Sequence, residues 1–321
     1  MERTVFLFHE PVRSSSLTAT AACRQEEHMA RLISYLRLSG YFCLTLAVLT
    51  AAMVISPPSE GLAMDNLKIA IAQPRCTDSD LDGNLARLGA LTARAAGEGA
   101  GIVFFPETVD LGWVNPDAHR LAGPVPGGEA AEAVCAMAAE NGIWIGIGLN
   151  EKDGDKLHDT VVLVNSEGKI VLKHRKINLL DWLMDPPYTP GAPADISTVE
   201  TPFGRVGLLI CADSFKEELV RKLAGQKPDL VYIPYGWAAK QPDWPEHSFS
   251  LVQRVQKTAK AIGAPVIGPN LVGRISKGPW TGYTYEGLST AADAFGMSLV
   301  QGKWNREDLI LLEIEPGNIY N

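Results

Sequence analysis

Eleven residues, Arg205–Phe215 (RVGLLICADSF), constrain this chain more than any other stretch. Val206 to Ile210 form a short, wholly apolar run, the pattern of a strand buried on both faces. Cys211 and a polar tail follow at once. Cys211 is therefore expected where a buried strand ends and the chain turns outward. In α/β proteins that carboxyl end is where ligands and catalytic groups collect. With Asp213 two residues on and a helix-like segment over 214–224 behind it, the thiol is either an activated nucleophile or a small buried hydrophobe. Taken alone, the stretch favours the buried hydrophobe, so evidence for a nucleophile has to come from elsewhere in the chain.

At 321 residues, with 46% hydrophobic and 21% charged residues, the chain has ordinary globular composition and enough length for a large core. A net charge of −8 without a basic cluster argues against nucleic acid and anionic membrane surfaces as partners. The five cysteines are odd in number and scattered, so no disulfide framework or CxxC pair is expected. The six histidines show no HExxH or comparable spacing, and no metal or cofactor is expected.

Residues 1–63 read differently from the rest. Arg31 and Arg37 precede an uncharged, mainly apolar run from Gly40 to Ser56, and two prolines and a Gly-Leu-Ala sequence follow. A basic flank, an apolar core and a small-residue site are the parts of a signal peptide, and the run is slightly short for a comfortable transmembrane span. The alternative is a start at Met64, whose MDNLKIAIAQ opens in the manner of a cytosolic α/β enzyme. Export or a membrane tether through residues 29–63 is favoured over a cytoplasmic location. Residues 1–63 are set apart as a leader, and 64–321 as a single domain.

From Lys68 onward, strands and helices alternate. KIAIAQ (68–73) predicts a strand, and leucines at 81, 85, 88 and 91 predict a helix over 80–96, with Asp78 and Asp80 as candidate caps. GIVFF (101–105) predicts a buried strand, 128–141 a helix stopped by Gly142, and 143–149 a strand whose glycines permit close packing. Residues 160–165 and 170–174 flank a Ser-Glu-Gly-Lys turn and predict a hairpin. Strands over 206–210, 230–234 and 265–268, a helix over 246–262 and short strands over 287–315 complete an α/β domain with a mixed sheet or a pair of sheets.

Two other strand ends carry chemistry. Glu107 follows GIVFFP, and Lys176 closes LKHRK just past the hairpin. Separately these are a loop acid and one charge in a solvated run. Together with Cys211 they make a hydrolytic set: a thiolate to attack a carbonyl carbon, a carboxylate to take and return a proton, and an ammonium to stabilise the oxyanion.

FFPE around Glu107, HRK ending at Lys176 and GLLICAD around Cys211 resemble, in order and rough spacing, the three signatures of the carbon–nitrogen hydrolase (nitrilase) superfamily. The hairpin 159–176, Tyr-Thr-Pro-Gly at 188–191, 228–237 and 287–296 are similar to further family landmarks, so the resemblance covers 67–315. It implies a four-layer α-β-β-α sandwich in the α/β class. It also implies a Glu-Lys-Cys triad, with Cys211 as nucleophile, Glu107 as base and then acid, Lys176 as stabiliser of the tetrahedral intermediate, and the Ala212 N–H as second oxyanion donor. Cys-Ala-Asp resembles the amidase and carbamoylase branches more than the Cys-Trp-Glu of nitrilases. The implied reaction is hydrolysis of a linear amide or N-carbamoyl C–N bond through a thioester. Nitrile hydrolysis, or an inactive binding protein with the same fold, stands as the alternative. The implied partners are a small amide or carbamoyl substrate and water, in a homo-oligomer.

Many amidase-like members carry a second glutamate shortly before the Tyr-Pro-Gly stretch. Here Met184 stands at that count, with Asp185 adjacent as the candidate replacement. Trp113, six residues after Glu107, and Trp237, beyond a strand end, are candidate pocket residues, with Tyr188 and Trp182 weaker ones. Asp213 is read as a helix cap, and His174 as part of the hairpin end.

Overall fold

A computed structural model describes residues 67–179 and 184–314, and the apolar run at 40–56 lies outside them. Among the described residues, no helix is long and apolar enough to cross a membrane.

The first sheet holds β1 (Leu67–Gln73), β2 (Ile102–Phe104), β3 (Trp144–Asp153), β4 (Lys156–Val164), β5 (Ile170–Arg175) and β15 (Asp308–Ile314), in the order β15-β1-β2-β3-β4-β5. The second holds β6 (Thr198–Thr201), β7 (Gly204–Leu208), β8 (Leu230–Tyr232), β10 (Val266–Gly268), β13 (Thr290–Ala292) and β14 (Ser298–Gln301), in the order β14-β13-β10-β8-β7-β6. A small third sheet pairs β9 (Ala238–Ala239) and β11 (Val272–Arg274) with β12 (Thr284–Glu286). The central strands β1, β2 and β3 run parallel, as do β7, β8 and β10, while hairpins build the flanks.

The two-residue period of a strand sorts the layers. In β1, Ala70 and Ala72 face a core shared with α1 (Leu81–Gly97) and α3 (Glu129–Asn141), whereas α2 (Ala118–Leu121) is a single turn. Ile69 and Ile71, with Ile102, Phe104, Val161 and Leu163, face the other way, onto Val206, Leu208 and Tyr232 of the second sheet. Beyond that sheet lie α4 (Glu217–Ala224) and α5 (Glu246–Ile262), through Leu219, Leu223, Leu251 and Val255. The order of layers is α-β-β-α, as the sequence implies. Helix ends follow local chemistry. The Asp80 side chain accepts from the Gly83 N–H at 3.2 Å to start α1, and Gly142 stops α3 at φ 60°, a left-handed conformation that costs glycine little. Asp78 is no cap; it accepts from the Ser276 N–H at 2.5 Å and from that residue's hydroxyl at 3.0 Å, tying two loops together.

Candidate active site

Glu107, Lys176 and Cys211 follow β2, β5 and β7, and all three are buried. The two sheets deliver them to one place. The segment after β8 holds two of them, since the Glu107 N–H donates to the Tyr235 carbonyl at 3.4 Å and the Cys211 N–H to the Pro234 carbonyl at 3.0 Å. Gly148 on β3 admits the Glu107 turn, because a Cβ there would stand 2.6 Å from Glu107 Cα. Lys176 extends the hairpin by one rung, its N–H donating to the Asp159 carbonyl at 2.8 Å.

Cys211 has φ +36°, a left-handed conformation that a side chain disfavours, and it opens a 3-10 turn over Cys211–Phe215. Asp213 holds that turn. Its carboxyl accepts from the Ile210 N–H at 3.1 Å, from His174 Nε2 at 2.9 Å, and from the N–H groups of Ile177 at 3.0 Å and Asn178 at 2.7 Å. This corrects the reading of Asp213 as a helix cap, since α4 begins at Glu217 with Lys216 at its N-cap. Asp213 instead clamps the cysteine turn to the segment carrying Lys176, and His174 is part of the clamp.

Inside the cluster, the Lys176 ammonium donates to Glu107 Oε1 and, at 3.1 Å, to Asp159 Oδ2. It also lies 5.6 Å from the centre of the Trp113 ring. Burial, the largest influence, works to lower the Lys176 pKa, but Glu107, Asp159 and Cys211 outweigh it and hold the ammonium charged well above its ordinary range. The Cys211 thiol is pushed well up, first by burial and then by the Glu107 charge. Lys176 and the Gly236 N–H work in the other direction. Cys211 thus rests as a thiol. Ala212 lies in the first turn of the 3-10 segment, where backbone N–H groups have no intrahelical acceptor.

Cys211 and Ala212 line a cavity of about 460 Å³. Two aromatic pairs wall it: Trp113 with Trp280 at 5.1 Å between ring centres, and Phe215 with Trp237 nearly parallel at 5.8 Å. Asn178, Lys216 and His247 supply the polar side chains of the lining. The sequence-predicted Trp113 and Trp237 therefore reach the cavity.

Two other candidates do not reach it. The Tyr188 hydroxyl is spent on Asn150 Oδ1 at 2.7 Å, in a buried position behind the cluster. Asp185 is exposed and outside the cavity lining, and the second carboxyl beside Lys176 belongs to Asp159. Trp182 lies outside the described residues. Sequence reasoning missed Asp159, Phe215, His247, Trp280 and the Gly236 N–H. For Asp159 a signal existed: Thr160 pairs with Arg175 across the hairpin, so one further rung sets Asp159 opposite Lys176. Among the described residues no group of His, Cys, Asp and Glu is arranged to hold a metal.

A buried thiol, carboxyl and ammonium clustered beside an aromatic cavity, in an α-β-β-α sandwich, define the class of the carbon–nitrogen hydrolases. The carbon-nitrogen hydrolase profile matches residues 68–321, and the chain belongs to that family. It is 29% identical over 259 residues to an omega-amidase of Mus musculus, covering 77% of this chain and 88% of the relative. It is 30% identical over 210 residues to the deaminated glutathione amidase of Mus musculus, covering 61% of this chain and 64% of the relative. An amidase from Nesterenkonia sp. shares the fold at a TM-score of 0.67 and 21% identity, over 80% of this chain and 94% of that one. In a variant of that amidase, the acetamide moiety of fluoroacetamide is added covalently to the active-site cysteine. The chain is a hydrolase of non-peptide carbon–nitrogen bonds in the amidase-like branch of the nitrilase superfamily.

Proposed function

We propose that the chain hydrolyses small linear amides through a thioester on Cys211. The carrying observation is the buried cluster of the Cys211 thiol, the Glu107 carboxyl and the Lys176 ammonium, with Cys211 opening onto the cavity. Because burial keeps Cys211 a thiol, attack and proton transfer go together. Glu107 takes the Sγ proton as sulfur bonds to the carbonyl carbon. The Lys176 ammonium and the Ala212 N–H receive the oxyanion. Glu107 then passes its proton to the leaving nitrogen, ammonia or an amine departs, and the thioester remains. Water, deprotonated by Glu107, attacks the thioester carbon, the C–S bond breaks, the carboxylic acid departs, and Glu107 returns its proton to the sulfur.

The Gly236 N–H at the sulfur supports the thiolate as it forms. The paired aromatic rings suit a flat or apolar acyl chain, and Asn178, Lys216 and His247 provide hydrogen bonds for a polar end. The cysteine adduct of the Nesterenkonia amidase supports the nucleophile assignment. The extent of the family match, 68–321, supports a catalytic unit that begins near Met64.

The test is ammonia release from a panel of aliphatic, aromatic and N-carbamoyl amides, together with mass spectrometry for an acyl adduct on Cys211 during turnover. Turnover and adduct are expected with the natural enzyme and neither with Cys211→Ala. Retained turnover in that variant would remove the nucleophile assignment.

A further inference from the structure

One ammonium serves two carboxyl groups in this cluster. Glu107 and Asp159 both contact Lys176 Nζ, and all three side chains are almost wholly buried. A single Lys⁺ neutralises one carboxylate, and a second unpaired negative charge at that depth is strongly unfavourable. The hydrogen-bond geometry makes the same demand. On the two acids that share the ammonium, Asp159 Oδ1 and Glu107 Oε2 are both buried without a donor. One proton on the pair supplies both the missing charge and the missing donor.

Position decides which acid keeps it. Glu107 is the charged group that acts most strongly on the Cys211 thiol, and it has to be free to accept that proton. Asp159 meets the Lys176 ammonium from across the hairpin, at a residue whose own carbonyl already accepts from the Lys176 N–H. Burial first, and the Glu107 charge after the opposing pull of Lys176, push the Asp159 carboxyl well above the usual range, in agreement with that position.

We propose that Asp159 is a positioning residue of the amidase centre that works as a neutral carboxylic acid, donating its proton to Glu107 and accepting from the Lys176 ammonium, in the place that the sequence pattern offers to Asp185. The proposal rests on reading Glu107, Lys176 and Cys211 as the catalytic set. Its consequence lies in the charge balance of the reaction. At rest Lys⁺ and Glu107⁻ cancel. When Glu107 takes the thiol proton, both neighbouring acids are neutral and the ammonium charge is free for the oxyanion. An ionised Asp159 would keep that charge engaged. The groups facing Asp159 are Lys176, Glu107 and the Tyr188 hydroxyl, with Cys211 and Asp110 further out in the same cluster. Burial holds Tyr188 neutral far above its ordinary range, so it does not compete for the proton.

Asp159→Asn keeps the shape and a donor for Glu107, whereas Asp159→Ala removes both. In the full-length enzyme, Asp159→Asn is expected to keep kcat within about fivefold, the equivalent of one modest hydrogen bond. Asp159→Ala, which lets Lys176 drift, is expected to lose on the order of 100-fold. The alkaline limb of kcat/KM, where Asp159 gives up its proton, should move to higher pH or vanish in Asp159→Asn. Infrared difference spectra of wild type against Asp159→Asn at neutral pH should show the carbonyl stretch of a protonated carboxyl group. That reading needs no turnover, so it decides the matter even if Asp159→Ala does not fold. Loss in Asp159→Asn as deep as in Asp159→Ala, or absence of the protonated band, overturns the proposal. Retained activity in Cys211→Ala would instead strike at the catalytic set.

Discussion

Arg175 and Lys176 are neighbours in the chain, yet they serve opposite kinds of charge cluster. Around Arg175, one carboxylate has more cations than it needs: Glu151 accepts from Arg175 Nε at 2.9 Å, from Lys173 Nζ at 2.9 Å and from the Thr160 hydroxyl at 2.7 Å. Around Lys176, one ammonium faces Glu107, Asp159 and the Cys211 thiol. The alternation of β5 sends the two side chains to different faces. The first cluster is over-satisfied and has no spare hydrogen-bonding capacity. The second leaves Asp159 Oδ1 and Glu107 Oε2 without donors. A site that must move a proton keeps such vacancies, whereas a structural network closes them.

Substitutions that separate rate from stability should break the comparison cleanly. Cys211→Ala is expected to abolish turnover, by on the order of 10⁴-fold or more, with little change in melting temperature. Lys176→Met should cost on the order of 10³-fold in kcat, the scale of a lost oxyanion donor. Arg175→Met, one residue earlier, should leave kcat/KM intact and instead lower stability by about 2 kcal/mol, read from urea melts. If Arg175→Met damaged the rate as Lys176→Met does, the two clusters would have to be treated as one.

The legible parts of this molecule were those that local pattern decides. The apolar run Val206 to Ile210 is wholly buried, although the strand itself spans Gly204–Leu208, and helix 246–262 matches its apolar spacing to the residue. The strand ends carrying Glu107, Lys176 and Cys211 could be read from the abrupt change of polarity. What escaped depends on pairing across space. Counting along the chain from Gly191 points to Asp185, whereas the carboxyl beside Lys176 comes from across the hairpin, at a rung set by the register shift between Leu163 and Val164. The cavity wall Trp280 comes from a loop with no period at all, His247 lies at the very start of helix 246–262, and the donors that hold Asp213 come mostly from 174–178, a distant stretch of the chain.

The same contrast extends to pH, where two carboxyls of β3 and its surroundings act with opposite signs. Burial works to raise Glu151, but Arg175, Lys173 and Thr160 outweigh it and hold the carboxyl down to about 2, below its ordinary 4.5. A depressed carboxyl contributes stability above its unfolded pKa, so this contribution is present above about pH 4.5 and is lost as pH falls towards about 2. Glu151→Ala should cost about 3 kcal/mol at pH 7, with a deficit that shrinks on acidification. Asp110 behaves in reverse. Burial, opposed by hydrogen bonds from Asn150, pushes it up to about 6 from 3.8. A raised carboxyl is stabilising below its unfolded pKa, and that contribution is lost as pH rises through about 6. The stability of wild type relative to Asp110→Asn should therefore fall by about 3 kcal/mol between pH 3.5 and 7, whatever the absolute cost of the lost hydrogen bonds. Paired urea melts across that range read the slope directly, and a flat difference would place Asp110 among the satisfied carboxylates with Glu151.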